Sequence, residues 1–210
     1  MKFYALNYKA ILIFLSSFFI TSGIVAQQAI YVGIPSNQMD YFSASQFKSQ
    51  WCWAASIQMV LNGYGVNIRQ DQIVERTYGR NPFGALPNWP GSIQTIHRNL
   101  NNWGIDNFGY PYTVMAQIGN GAPSPSILVN ELSYGRPVII GYRSGPNSGH
   151  AVVVTAVSYI PTPSGPYIQT IVVRDPWPSE KNIRNRGRVE YPAAALANNI
   201  QAYWYVRVVR

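Results

Sequence analysis

Cys52 is the only cysteine among 210 residues, and it stands in Gln46-Phe47-Lys48-Ser49-Gln50-Trp51-Cys52-Trp53-Ala54-Ala55-Ser56. Downstream, Ile57, Val60 and Leu61 recur at helical spacing until Gly63 and Gly65 end the run. The sulfur is therefore expected at or near a helix N-terminus, where unpaired backbone N–H groups favour the thiolate, the attacking species. A free cysteine is also among the most buried residue types, and a small structural hydrophobe fits a helix start equally well. What separates the two readings is whether partners exist elsewhere in the chain.

A thiol nucleophile needs a base within hydrogen-bond reach and a group that orients the base. The chain offers two histidines. His97 lies inside a helical run with Ile93, Ile96 and Leu100, which suits a structural imidazole. His150 stands where the loop Ser144-Gly145-Pro146-Asn147-Ser148-Gly149 meets the strand Ala151-Val152-Val153-Val154, so its ring can face a cleft while its strand is held in a sheet. Asp175 follows a strand at Tyr167–Val173, within Arg174-Asp175-Pro176-Trp177-Pro178. A hairpin between the two strands would bring it back to the level of His150. There it could bond the imidazole N–H, set its tautomer and stabilise its charged form, with Trp177 shielding the bond from water. An acyl-transfer site further needs donors aimed at the developing oxyanion. The Gln46 side chain and the Cys52 backbone N–H can supply them, whereas Gln50 is expected to point elsewhere. Each of these residues has a plainer role when taken alone: a satisfied loop histidine, an Asp-Pro turn, a solvated glutamine.

These residues require elements to hold them. Gln70–Tyr78 reads as a second short helix, followed by a loop rich in Pro82, Gly84, Pro87, Pro90 and Gly91. Ser92 caps a further helix with Ile93, Ile96, Leu100 and Trp103 on one face, ending at Gly104. Another helix spans Ser126–Tyr134, with Ile127, Leu128 and Leu132 inward. From Arg136 onward the β-branched and aromatic runs Pro137–Tyr142, Ala151–Ile160, Tyr167–Val173 and Tyr203–Val209 read as strands, and Pro161–Pro166 as a turn between antiparallel neighbours. Helices first and an antiparallel sheet second make the class α+β, with the cleft between the halves.

Residues 1–26 read as a secretory signal: Lys2 and Lys9, an apolar stretch from Ala10 to Phe19, and Ile24-Val25-Ala26 before a cut at Gln27. Residues 27–210 then form one domain that is secreted or periplasmic, with no integral membrane segment after signal removal. Taking the two leader lysines from the formal charge of +8 leaves +6. The densest basic group is Lys181, Arg184, Arg186 and Arg188, without the stripe and aromatic interleaving that nucleic-acid binding would show. A solvated face accounts for it, though it permits contact with anionic cell surfaces. Two histidines, one cysteine and eight acids at no ligand spacing make no metal site, and no phosphate loop or other cofactor motif is seen. A single cysteine forms no internal disulfide, so an exported chain that keeps one points to a reactive thiol. A monomer acting on a protein or peptide substrate is the expected form.

The set resembles the papain-like cysteine peptidases, in which a glutamine precedes a Cys-Trp-Ala helix start by the same six residues. Gly149-His150-Ala151-Val152-Val153 is similar to the family's histidine strand. Arg174-Asp175-Pro176-Trp177 is similar to its third-residue motif, where asparagine is usual. The Cys52-Trp53-Ala54-Ala55 start and the Asp-Pro-Trp-Pro form resemble the compact bacterial branch, which includes secreted effector proteases and relatives of bacteriocin-processing peptidases. The resemblance implies a two-lobed papain-like fold. It also implies Cys52 as nucleophile, His150 as general base and acid, Asp175 as orienting residue and Gln46 as oxyanion donor. Three departures stand out. The interval from Cys52 to His150 is 98 residues, against ~130–150 in the plant and lysosomal enzymes. Asp175 replaces asparagine, and only 25 residues separate Ala26 from Cys52, too few for a large inhibitory propeptide. The same order of residues would also serve a transglutaminase-like acyltransferase, a cell-wall peptide hydrolase or, without catalysis, a binding module.

Overall fold

The computed structural model describes residues 28–210, so the leader assigned to residues 1–26 lies outside the described residues. Eight strands form one antiparallel sheet: β1 (Ile30–Gly33), β2 (Asn102–Ile105), β3 (Pro111–Asn120), β4 (Val138–Gly145), β5 (Ser148–Thr162), β6 (Gly165–Arg174), β7 (Arg188–Pro192) and β8 (Ile200–Val209). Their order is β2-β3-β8-β4-β5-β6-β7, with β1 paired to β5. The helices are α1 (Ser36–Phe42), α2 (Cys52–Gly63), α3 (Gln70–Tyr78), α4 (Ile93–Asn99), α5 (Pro125–Ser133), α6 (Glu180–Arg184) and α7 (Ala193–Ala197).

The central strands are apolar on both faces because both faces are covered. Ile139, Ala151, Val153, Trp204 and Val206 point into one core with Ile57, Val60 and Leu61 of α2. Val138, Ile140, Val152, Val154 and Val173 point into the other with Leu128 and Leu132 of α5. α2 is buried almost all round, from Trp53 through Leu61 apart from Gln58. Fully burying an aliphatic side chain contributes about 1.5–3 kcal/mol, so α2 is fixed by packing on every side rather than by helix propensity.

The fold is the expected mixture of helices and antiparallel sheet, but the first half is not all helical. β1, β2 and β3 also come from it. The helix from Ser92 stops at Asn99, with Leu100 as its C-cap. Trp103 instead belongs to the edge strand β2 and is 73% exposed, because Asn102-Trp103-Gly104-Ile105 follows the two-residue period of a strand rather than a helical one. Ile127, expected inward, is exposed, while Leu128 and Leu132 are buried. The 161–166 turn is the tip of the β5–β6 hairpin, where Thr162 pairs with Gly165. α6, β7 and α7 fill the stretch between β6 and β8, for which no element was expected.

Candidate active site

Cys52 is the first residue of α2, and among the described residues no acceptor meets its backbone N–H. The loop leading into it is stitched to the Pro-rich segment 86–91 by hydrogen bonds. Lys48 Nζ donates to the Leu86 carbonyl (2.7 Å) and Trp51 Nε1 to that of Pro87 (3.0 Å). The Gln50 N–H donates to Asn88 Oδ1 (3.0 Å), and Trp53 Nε1 donates to the Trp89 carbonyl (3.2 Å). Residue 91 must be glycine for this fit, since a Cβ there would stand 2.4 Å from the Trp53 ring. Indole N–H groups that would otherwise be buried without partners thus become the fastenings of the nucleophile's loop.

His150 lies on β5, opposite Tyr142 of β4. One turn after Cys52, the buried Ser56 hydroxyl donates to the Ala151 carbonyl (3.1 Å), tying α2 to β5 at the residue beside the imidazole. The sulfur and the ring consequently line one cleft of about 140 Å³. Sequence reading passed over this serine, because a hydroxyl among alanines carries no signal of its distant acceptor.

Asp175 arrives by register. Val153 pairs with Arg174, so the chain leaving β6 stands beside the start of β5. His150 Nε2 and Asp175 Oδ1 are 2.7 Å apart, and the same oxygen accepts the Trp177 backbone N–H at 2.8 Å. Trp177 contributes this main-chain donor while its ring is half exposed. Burial works to lower the basicity of His150. The Asp175 carboxylate and the Cys52 sulfur outweigh it and push the ring's pKa from 6.5 to about 9. With Nε2 turned to Asp175, Nδ1 is the nitrogen left for the Cys52 sulfur, which lines the same cleft. The Tyr142 ring meets the imidazole edge to face, with centroids 5.8 Å apart. Burial first, then Tyr191, Asp175 and Cys52, hold its phenol protonated well beyond the ordinary range.

Behind the acid sits Arg174, 1% exposed. Its guanidinium donates to Asp40 Oδ1 (2.7 Å), the carbonyls of Asn185 (3.3 Å) and Arg186 (3.0 Å), and both the carbonyl (2.9 Å) and hydroxyl (2.8 Å) of Ser36. The Asp175 N–H donates to the Gly187 carbonyl at 2.7 Å, and a Cβ on Gly187 would stand 2.6 Å from the Asp175 carbonyl oxygen. One buried cation therefore locks α1 and the 185–187 turn around the acid. The sequence offered no sign of this, since its acceptors are mostly main-chain carbonyls.

Gln46 is 5% exposed and does not line the cleft. Its amide nitrogen donates to the carbonyls of Lys48 and Ser49, both at 2.9 Å, and its own N–H donates to the Pro176 carbonyl at 2.8 Å. It thus joins the nucleophile's loop to the Asp-Pro-Trp turn. Gln50, expected to point away, lines the cleft with Cys52 instead, because its N–H is fixed on Asn88 and turns the residue inward. His97 lies apart from the cleft, its Nδ1 against the Asn101 amide at 3.1 Å.

A model of the "Peptidase_C39 like family" matches residues 35–207. A putative C39-like peptidase from Bacillus anthracis superposes with a TM-score of 0.52 at 16% identity, over 85% of this chain and 98% of that one, and shows the same fold. The peptidase domain of Streptococcus ComA, a bi-functional ABC transporter involved in quorum sensing, gives 0.49 at 16% identity over 78% and 95%. A double glycine motif protease from an AMS/PCAT transporter gives 0.44 at 18% identity over 77% and 87%. No curated protein matches the chain significantly.

Proposed function

Because the chain belongs to the Peptidase_C39 like family and is a cysteine peptidase, we propose that it is an exported endopeptidase working through a thioester on Cys52. The proton given up by the thiol is held on the His150 ring, at Nδ1, and the sulfur attacks the scissile carbonyl. A C–S bond forms as the carbonyl π pair moves onto oxygen. The Cys52 N–H and the Gln46 amide stabilise that oxyanion, which requires Gln46 to release one of its two carbonyl partners. Collapse breaks the C–N bond as His150 returns the proton to the leaving amine. Water, deprotonated by the same ring, then attacks the thioester and frees the carboxylic acid and the thiol. Asp175 keeps the imidazole in the required tautomer and stabilises its charged form.

The observation that carries this reading is the 2.7 Å contact from Asp175 to His150, which lines the same cleft as Cys52. Export with loss of residues 1–26 rests on the sequence of the leader. Substituting Cys52→Ala is expected to abolish both peptide cleavage and labelling by a thiol-directed acyl mimic; survival of both would end the proposal. Running an amine acceptor and purified peptidoglycan beside the peptide separates hydrolysis of peptides from acyl transfer and from wall cleavage.

A further inference from the structure

On the far side of Asp175 from the sulfur, two cavities meet at one side chain. The first, of about 150 Å³, is bordered by Asp175, Asn182, Arg186 and Gly187. The second, of about 350 Å³, is bordered by Ser36, Asp40, Arg184, Asn185, Arg186 and Arg188. Arg186 borders both, so a polar trench leads away from the His150–Asp175 pair. The acids on its walls are already engaged, Asp40 by Arg174 and Asp175 by His150. Arg188 is paired with Glu190. Arg184 and Arg186 are exposed, and among the described residues neither side chain meets an acid or another acceptor.

Arg186 is also the one non-glycine residue, among those described, with a left-handed backbone, at φ 51°. That conformation suits Gly or Asn and disfavours a long side chain by about 1 kcal/mol. The backbone there is needed, because the Arg186 carbonyl accepts from Arg174 at 3.0 Å, but Asn would provide the same carbonyl with less strain. The backbone role of residue 186 therefore does not call for a guanidinium.

We propose that this trench binds an acidic stretch of the peptide substrate on one side of the scissile bond, with Arg184 and Arg186 as the recognising cations. The inference rests on the peptidase reading and names a substrate class for it. Asp175 is bonded to the ring that lines the cleft and itself borders the first cavity, and an extended peptide advances ~3.3 Å per residue, so the trench lies within a few substrate residues of the scissile bond. Guanidiniums with no internal partner can take carboxylates without first giving up an ion pair.

The test is a peptide library randomised on both sides of the cut, read by mass spectrometry at about 50 mM salt, where surface charge is weakly screened. The wild type is expected to enrich Asp and Glu roughly fivefold on one side of the bond, the effect of two solvent-exposed ion pairs. In the double variant Arg184→Gln/Arg186→Asn that ratio should fall to about one. Asn is chosen at 186 because it accepts the left-handed backbone and keeps the carbonyl that Arg174 needs. Efficient cleavage with no acidic preference, or a preference that survives the double variant, overturns the proposal. A second arm separates its failure from failure of the peptidase reading. The inactive Cys52→Ala protein is titrated with a fluorescent Asp/Glu-rich peptide and with its Asn/Gln counterpart. Tighter binding of the acidic peptide, lost with the two arginines, supports the trench even without turnover, and equal binding rejects it.

Discussion

On one wall of the cleft, Cys52 rides on the first turn of a helix that is buried almost all round, and its approach loop is fastened to residues 86–91 by indole, amide and ammonium donors. On the other wall, His150 stands on β5 and Asp175 just past the end of β6, whose register brings them together, with the Arg174 guanidinium closing the turn behind them. The first wall is set by packing and the second by pairing and charge. Ser56 is the cross-piece, a hydroxyl of the helix on a carbonyl of the strand. Damage to the two walls should therefore look different: loss of the carboxylate bonded to the ring should move the pH profile, while changes on the helix wall should move stability and leave the profile in place.

The largest of these effects is expected from Asp175→Ala. Removing the carboxylate should lower kcat/KM by about 10²–10⁴-fold with some activity remaining. It should also carry the alkaline limb of activity, expected near pH 9 from the His150 pKa, toward neutrality. The sign follows from the shift. With a folded pKa of about 9 above an ordinary 6.5, the charged ring contributes stability that is complete below pH 6.5 and lost as pH rises through 9. Thermal melts of wild type and Asp175→Ala should thus differ most at mildly acidic pH and converge by pH 10 or so. A constant gap across that window would remove the ion pair from the account.

Arg174→Gln should come next. It strips a buried set of acceptors of their donor and leaves Asp40 alone, which is expected to cost about 3 kcal/mol and roughly tenfold in kcat as the Asp175 turn loosens. Denaturant melts and steady-state kinetics check both. In the fraction that stays folded the alkaline limb should remain near that of the wild type, because Asp175 itself is intact. Ser56→Ala should do least. It leaves the Ala151 carbonyl unpaired at a cost of about 1–2 kcal/mol, with activity within a few-fold and no change in the pH profile. A shifted profile here would mean that the two walls are not independent.

The division also explains what could be read from the residues alone. Cys52, His150 and Asp175 were legible because each lies beside its own local signal: a helix start, a loop-to-strand junction, a hairpin end. The hairpin was visible as β-branched runs around a Pro/Gly turn, and so was its consequence, the return of Asp175 to His150. Arg174 and Ser56 were not legible, because their partners are backbone carbonyls and an acid far along the chain, and no spacing rule reports those. Trp103 was misplaced because one apolar residue satisfied the helical period of Ile93–Leu100 just before the chain turned into β2. The inward turn of Gln50 and the engagement of the Gln46 amide depended on Asn88 and on two carbonyls of the intervening loop, contacts settled only once residues 86–91 dock.

The central claim is that thiol, imidazole and carboxylate act as one unit. Its most direct test is the rate at which a peptide-based acyl mimic labels Cys52, followed by intact mass in the wild type and in His150→Ala. One adduct per chain is expected in the wild type, formed at least about 100-fold faster than in the variant. Equal labelling rates in the two proteins would mean that the ring does nothing for the sulfur, and would contradict the account.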